Sequence, residues 1–183
     1  MVQLRDPKRK TRAYWGVANL ERKSLELAKQ KKSPEEIQDD NERTNSMGLF
    51  NMAEAYRLSA MALEEAKVRS GHADSPIRFL YYHALELYLK ALLRRKHSVE
   101  TITGFGHKFR RLVTEAEKLG LSVMDEDREV FSVMIDTNTI IEARYIRTGP
   151  KTWPAFEALH RTCDSMRECV GGLLRDAGVM VRI

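Results

Sequence analysis

The chain has 183 residues, of which 43% are hydrophobic and 31% are charged. This length fits one compact domain with a short extension, and this balance excludes wholesale disorder and supports a sizeable core. The net charge is +5, but residues 1–32 hold ten Lys and Arg against three acids, so an anionic partner is permitted and not required.

Targeting signals and metal motifs are not apparent in the sequence. No stretch approaches the roughly 20 apolar residues of a membrane span, and no apolar run follows the basic N-terminus, so we expect a cytoplasmic protein. The only cysteines, Cys163 and Cys169, match neither a zinc knuckle nor a redox pair. No two of the five histidines stand four residues apart on a helix. We therefore predict neither a metal site nor a cofactor.

Helical periodicity dominates the chain, and no segment shows the strict alternation of a half-buried strand. We predict an all-α fold, an up-and-down helical bundle over residues 47–183, preceded by an N-terminal extension over residues 1–46. The extension consists of a basic arm helix and a polar linker, residues 33–46, with at most a fragile turn or two. The predicted helices span, in chain order, residues 13–32, 47–69, 75–97, 107–119, 125–147 and 153–173, and residues 98–106 are predicted to form a loop.

The predicted helix 75–97 is the central one, because its apolar residues cover more than one face. A narrow polar wedge remains on it, formed by His83, Glu86, Lys90 and Arg94. A carboxylate on a helix buried on two sides needs a partner, which would be Lys90 one turn on or an Arg from another helix. A structural ion pair is the plain alternative to a functional role for Glu86.

The densest basic stretch outside the arm runs from Lys90 to Arg111. Its basic residues, set against the single acid Glu100, are Lys90, Arg94, Arg95, Lys96, Lys108, Arg110 and Arg111. Folding would gather these charges into one patch beside Phe105 and Phe109, whose rings would offer stacking surfaces to a nucleic acid. A solvated rim is the alternative.

A second cationic group closes the predicted helix 125–147. Arg144 falls on an otherwise apolar face, so it must be paired or hold an anion. Tyr145 and Arg147 follow within one turn, and two guanidinium groups beside a phenol would suit a phosphate or an RNA backbone. In the alternative interpretation Arg144 pairs with Glu86 or Asp136, and Arg147 is solvated.

These segments resemble the HEPN domain family, named for nucleotide binding in higher eukaryotes and prokaryotes. The resemblance rests on AxExxLKALL at residues 84–93, on GH[DK]xxxL at residues 106–112, and on the RY pair Arg144 and Tyr145. It covers about residues 47–176. It implies a helical bundle, often dimeric, that cleaves RNA or binds nucleotides or RNA, commonly in toxin–antitoxin, phage-defence or nucleotidyltransferase-associated systems.

The chain departs from the nuclease members of that family, which carry an Arg-x4-6-His motif near the start of a late helix. After Arg147 the next histidine is His160, outside that spacing. Arg78 and His83 fit the motif as a string, but both fall inside the central helix, about 140° apart. They would not converge on one phosphate within a protomer.

We therefore predict a HEPN-like domain that binds a nucleotide or an RNA phosphate without catalysis of its own, as a homodimer, with a nucleotidyltransferase or an antitoxin as candidate protein partner. The predicted binding residues are Lys90, Arg94, His107, Lys108, Arg110, Arg144 and Arg147. His107 would orient the loop between the two cationic groups, and Glu86 and Tyr145 would support the site, Glu86 by fixing Arg144.

Two alternative functions stay open. One is a metal-independent ribonuclease toxin, in which Arg supports the phosphate and His83 or His107 acts as general acid or base. The other is a helical protein–protein interaction module, favoured by the wide apolar coverage of the predicted helices and by the detached arm.

Overall fold

The fold is that of a computed structural model, which describes residues 33–136 and 152–182. The chain divides into two compact units, Met1–Asp39 and Asp40–Ile183. The described residues form helices and connecting turns without a strand, so the all-α prediction is confirmed. In chain order the helices are α1 Pro34–Arg43, α2 Ser46–Glu65, α3 Asp74–Leu93, α4 Val99–Phe105, α5 Phe109–Glu117, α6 Asp125–Asp136 and α7 Phe156–Asp176.

The central helix is α3, as the distribution of its apolar residues predicts. It packs against α2 on one side, α7 on another and α5 towards its C-terminal half, while α6 packs against α5 and α7. Tyr81, Tyr88 and Leu89 are among its fully buried side chains. Burying this helix on several sides places the carboxylate of Glu86 in the interior of the bundle.

Three of the described helices, α1, α2 and α4, start at a capping residue that the sequence shows. Asn45 caps α2 by accepting a 2.8 Å hydrogen bond from the Gly48 amide, and Ser98 caps α4 through the Thr101 amide at 3.2 Å. At α1, Ser33 and Glu36 form a reciprocal capping box, each side chain accepting from the other residue's amide. These short polar side chains satisfy the amides that a helix start leaves open.

Two predicted connections are wrong. The segment predicted as a loop over 98–106 contains α4, and the polar segment 33–46 contains α1 in place of a turn or two. Each of these helices starts at a serine cap, and the first turn holds two acids in α1 and one in α4. These features outweigh the high polarity of the first segment and the weak helix propensity of the second.

Helix ends also differ from their predicted positions. The helix α2 ends at Glu65, before Lys67, which adopts a positive φ of 46°. The central helix ends at Leu93, and residues 94–96 form a turn. The predicted arm helix 13–32 and residues 137–147 of the predicted helix 125–147 lie outside the described residues.

Within the described ranges, no helix combines the length and the apolar content that crossing a bilayer would need.

Candidate functional site

The carboxylate of Glu86 is fully buried and uses both of its oxygens. Lys90, one turn further along α3, donates from Nζ to Oε1 over 2.5 Å. His107 Nδ1 lies 2.9 Å from Oε2. Of the two kinds of partner that the sequence left open for Glu86, Lys90 is the one observed, and His107 is a second partner that the sequence did not indicate.

The turn between α4 and α5 places His107 against Glu86. Gly106 ends α4 with φ 56° and ψ −131°, a backbone conformation that residues with a Cβ rarely adopt. The next residue, His107, keeps 40% of its side chain exposed. Because a carboxylate only accepts hydrogen bonds, Nδ1 donates to Glu86. The imidazole is thereby oriented, with Nε2 left for a ligand.

Cationic side chains crowd the start of α5, directly after His107. Lys108 is the N-cap residue and makes no side-chain capping bond, and the first turn of α5 holds no acid. Arg110 is 74% exposed, with Asp136 at 3.8 Å as an equally open neighbour, a pairing of little strength in water. Arg111 lies over the Phe105 ring at 4.5 Å. We call His107, Lys108, Arg110 and Arg111 the His107 surface.

The His107 surface combines two sources of positive potential. The N-terminus of a helix carries partial positive charge, which acidic side chains or bound anions ordinarily offset. At α5 three basic side chains stand there instead. Lys108 has no described ion-pair partner, and the Asp136 contact of Arg110 is open to solvent. The surface is therefore arranged to attract an anion.

Arg94 has a different role from the one predicted. Its Nε donates to the Thr44 carbonyl at 2.7 Å, Nη1 to the His97 carbonyl at 3.0 Å, and Nη2 to the Asn41 carbonyl. The guanidinium group thus joins the end of α3 to the segment before α2. With its donors directed at three backbone oxygens, Arg94 holds the chain together rather than facing a ligand.

The expected aromatic stacking surfaces are absent from the His107 surface. Phe105 and Phe109 are 3% and 4% exposed, and Phe109 packs edge-on against Phe131 in the core. The prediction that these rings lie open to bases is wrong, because each is the core-facing residue of a short amphipathic helix. The predicted site residues Arg144, Tyr145 and Arg147 lie outside the described residues.

A second, largely buried carboxylate organises a separate cluster between α2, α3 and α7. Glu54 accepts from Tyr88 and from Arg57, and Arg167 Nε donates to it over 3.1 Å. Arg57, only 8% exposed, also reaches Asp164 at 2.9 Å. We call these five residues the Glu54 cluster. The sequence signal for it was Arg57 itself, which stands in the helical register of the buried Phe50, Ala53 and Ala60.

The ionisation of the Glu54 cluster reflects this pairing. Burial raises the pKa of Glu54, but hydrogen bonds from Tyr88 and Arg57 and the charges of Arg57 and Arg167 outweigh it, so the net pKa lies below its usual value. Burial and the hydrogen bond to Glu54 raise the pKa of Tyr88 well above its ordinary range. Glu54 is therefore held as a carboxylate and Tyr88 as a phenol.

Arg78 and His83 occupy different surroundings on α3. The Arg78 guanidinium lies over the Phe156 ring at 4.4 Å and donates to the Pro154 carbonyl at 2.5 Å. The His83 ring stands edge-on to Tyr56, with centroids 4.4 Å apart. As the helical geometry predicts, the two side chains do not converge within the protomer.

Among residues 33–136 and 152–182, no group of three or more His, Cys, Asp and Glu side chains is placed to hold a metal ion.

Comparisons of the chain with protein-family models, with curated proteins and with solved structures find no match.

Proposed function

We propose that the chain is a HEPN-like domain that binds the phosphate groups of RNA or a nucleotide at the His107 surface, without catalysis of its own. The observation that carries the proposal is the start of α5, where Lys108, Arg110 and Arg111 surround an uncapped helix end that has no acid in its first turn. Such a helix end is stabilised by a bound anion.

Two further features support phosphate binding at this place. His107 is fixed by Glu86 and supplies one more polar contact beside the three cations. Lys90 is neutralised by Glu86 and lies only 15% exposed, so its part is to hold that carboxylate in place. Arg144 and Arg147 remain predicted ligand contacts, and a toxin–antitoxin, defence or nucleotidyltransferase-associated setting remains the proposed context.

The test is fluorescence anisotropy of labelled single-stranded RNA of about 12 nucleotides, titrated with the full chain in EDTA across about 50 to 200 mM salt. Three phosphate contacts predict a slope of log K against log salt near −2. The double variant Lys108→Ala/Arg110→Ala should weaken binding about tenfold at the lowest salt and bring the slope closer to zero by about 1.4.

A charge-matched control separates this surface from general basicity. Arg175 and Arg182 are exposed at and beyond the C-terminal end of α7, and Arg175→Ala/Arg182→Ala removes the same two charges elsewhere. This control should bind RNA nearly as the wild type does. Equal affinities of the wild type and a folded Lys108→Ala/Arg110→Ala variant would exclude the His107 surface.

The two phosphate sources are separated by competition. If the site takes a mononucleotide, AMP should displace the labelled RNA at a concentration at which inorganic phosphate does not. If it takes an RNA backbone, unlabelled RNA alone should compete at that concentration. Either result identifies the class of ligand that the His107 surface binds.

A metal-independent ribonuclease is the second candidate, and the orientation of His107 by buried Glu86 favours it. A carboxylate-held imidazole with a free Nε2 is the arrangement that general acid–base catalysis uses. RNA fragments appearing in EDTA in the anisotropy samples, and disappearing with His107→Ala but not with His160→Ala, would establish this activity. Intact RNA throughout supports binding alone.

A further inference from the structure

A cleft of about 360 Å³ opens between the C-terminal end of α2 and the first turns of α7, with α3 behind it. Pockets for small organic ligands span about 300 to 1,000 Å³. The side chains that shape it are those of Met61, Glu64, Tyr81, Phe156 and His160, and we call it the Glu64 pocket. Neither the His107 surface nor the Glu54 cluster includes any of these residues, so neither accounts for their arrangement.

The Glu64 pocket repeats the central contact of the Glu54 cluster. In that cluster a phenol of α3, Tyr88, donates to a carboxylate of α2, Glu54. In the pocket Tyr81, two turns earlier on α3, donates to Oε2 of Glu64 over 3.0 Å. Both tyrosines are fully buried, so each holds its carboxylate in a fixed position.

The two carboxylates differ in the cations beside them. Glu54 also accepts from the guanidinium groups of Arg57 and Arg167. No Lys or Arg of residues 33–136 and 152–182 makes an ion pair with Glu64, and the space beside this carboxylate is the cleft. Arg78, the basic residue of α3 that lies over the Phe156 ring, donates to the Pro154 carbonyl instead. The pocket therefore has the phenol-held carboxylate of the Glu54 cluster without its guanidinium groups.

The remaining lining of the pocket also favours an organic cation. Two more acids, Glu65 and Glu157, are exposed at the cleft, and Lys67 is the lysine that lines it. Three carboxylates against one ammonium group make the local potential negative, which attracts a cation and repels a phosphate. Met61 and Phe156, both partly buried, add an apolar wall. A carbon stem can pack against such a wall, whereas a hydrated metal ion gains nothing from it.

We propose that the Glu64 pocket binds an alkylguanidinium cation, with the guanidinium group on the Glu64 carboxylate and the alkyl stem against Met61 and Phe156. This inference goes beyond phosphate binding and does not rest on it. A planar guanidinium group can donate two parallel hydrogen bonds to one carboxylate. It would supply to Glu64 what Arg57 and Arg167 supply to Glu54.

The ring of His160 reports occupancy of the pocket, because it lines the cleft with 42% of its side chain exposed. Butylguanidinium, titrated into the full chain near neutral pH, should shift the His160 NMR resonances saturably, with a dissociation constant of about 1 mM or below. The His107 resonances should stay in place. Butylurea has nearly the same shape without the charge, and it should cause no saturable shift.

Two results of this titration would overturn the proposal. One is the absence of a saturable His160 shift with butylguanidinium up to about 10 mM, which is ten times the expected dissociation constant. The other is an equal shift with butylurea, which would mean that the carboxylate does not select the ligand.

A conservative variant tests the role of Glu64 without emptying the site. Glu64→Gln keeps an oxygen that accepts from Tyr81 but removes the charge, so affinity for butylguanidinium should fall about tenfold. Glu168→Gln removes the same charge from an exposed position of α7 outside the pocket and should bind as the wild type does. Equal affinities of the wild type and Glu64→Gln would exclude Glu64 as the anchor and overturn the proposal.

The pocket and the His107 surface can fail separately. Glu64→Gln should bind labelled RNA as the wild type does, and Lys108→Ala/Arg110→Ala should bind butylguanidinium as the wild type does. A His160 shift that disappears in Lys108→Ala/Arg110→Ala would mean that the pocket is not a separate site, and would overturn the proposal.

The guanidinium group could come from a free small molecule or from an arginine side chain of another protein. N-acetylarginine amide carries the same cation on a peptide-like backbone, so it is compared with butylguanidinium in the same titration. Tighter binding of N-acetylarginine amide supports the pocket as a site for a protein arginine, and tighter binding of butylguanidinium supports it as a small-molecule site. Failure of both compounds to bind would overturn the proposal.

Discussion

Glu54 and Glu86 are two carboxylates of the same bundle with different surroundings. Glu54 is enclosed by donors from α2, α3 and α7, and Arg57 extends the network to Asp164. Glu86 has Lys90 on its own helix and His107 on a turn, and His107 keeps 40% of its side chain in solvent. The first network joins three helices, whereas the second reaches the surface beside three cations.

The difference separates a stabilising role from a binding role. A largely buried carboxylate whose partners lie on three rigid helices fixes how those helices pack, and its loss leaves unpaired charges that cannot all reach water. A buried carboxylate that orients an exposed imidazole contributes less to packing and more to the geometry of the surface. Substitution of Glu54 should therefore lower stability more than substitution of Glu86, whereas substitution of Glu86 should weaken RNA binding more.

The largest effect on stability is expected for Glu54→Ala. Removing this carboxylate takes away the described partner of Arg167 and of the Tyr88 hydroxyl and leaves Arg57 paired with Asp164 alone, which should lower the free energy of unfolding by about 3 kcal/mol. Urea unfolding followed by circular dichroism measures it, with exposed Glu65→Ala on the same helix as control. A loss below about 1 kcal/mol would mean that the Glu54 cluster does not hold the helices together.

A smaller loss of stability, about 1 to 2 kcal/mol, is expected for Glu86→Ala. Lys90 and His107 lie near the surface and can turn towards water, which limits the cost of losing their partner. The same variant should weaken RNA binding several-fold, an effect that Glu54→Ala should not show in its folded fraction. If Glu54→Ala weakened binding more than Glu86→Ala, the assignment of roles would be reversed.

The smallest expected effect is on how the free energy of unfolding changes at acidic pH. The pKa of Glu54 is lowered in the folded protein, so its contribution is fully present above the usual value of 4.5 and is lost as pH falls through the lowered pKa. The stability difference between the wild type and Glu54→Gln should therefore narrow as pH falls below about 4.5. Urea midpoints at several pH values measure it, and a difference that widens on acidification would contradict the direction of the shift.

The sequence predicted the parts of the fold that depend on local pattern. The central helix α3 follows from apolar residues on several of its faces, and the Glu86–Lys90 contact follows from a spacing of four on one helix. The loop predicted over 98–106 failed because Val99, Thr101 and Ile102 are β-branched and weak helix formers, and the cap at Ser98 decided the outcome.

The sequence pattern did not predict the contacts between residues that are far apart along the chain. His107 meets Glu86 only because α4 and the positive φ of Gly106 turn the chain back towards α3. Glu54 and Arg167 stand 113 residues apart, and nothing in their local sequence relates them. For Arg94 the sequence pattern was misleading, because its charge suggested that it binds a ligand. It binds backbone carbonyl groups instead, and no side chain in the sequence marks those carbonyls as its partners.

Histidine ring resonances observed by NMR test the account most directly, because the two regions each carry a matched probe. His107 beside Glu86 is 40% exposed, and His160, 3.6 Å from Asp164, is 42% exposed. Assignment by His107→Gln and His160→Gln variants allows both rings to be followed while RNA is added. We predict that the His107 resonances shift saturably and those of His160 stay in place. A shift of His160 with His107 unmoved, or equal shifts of both, would contradict a binding site at the His107 surface.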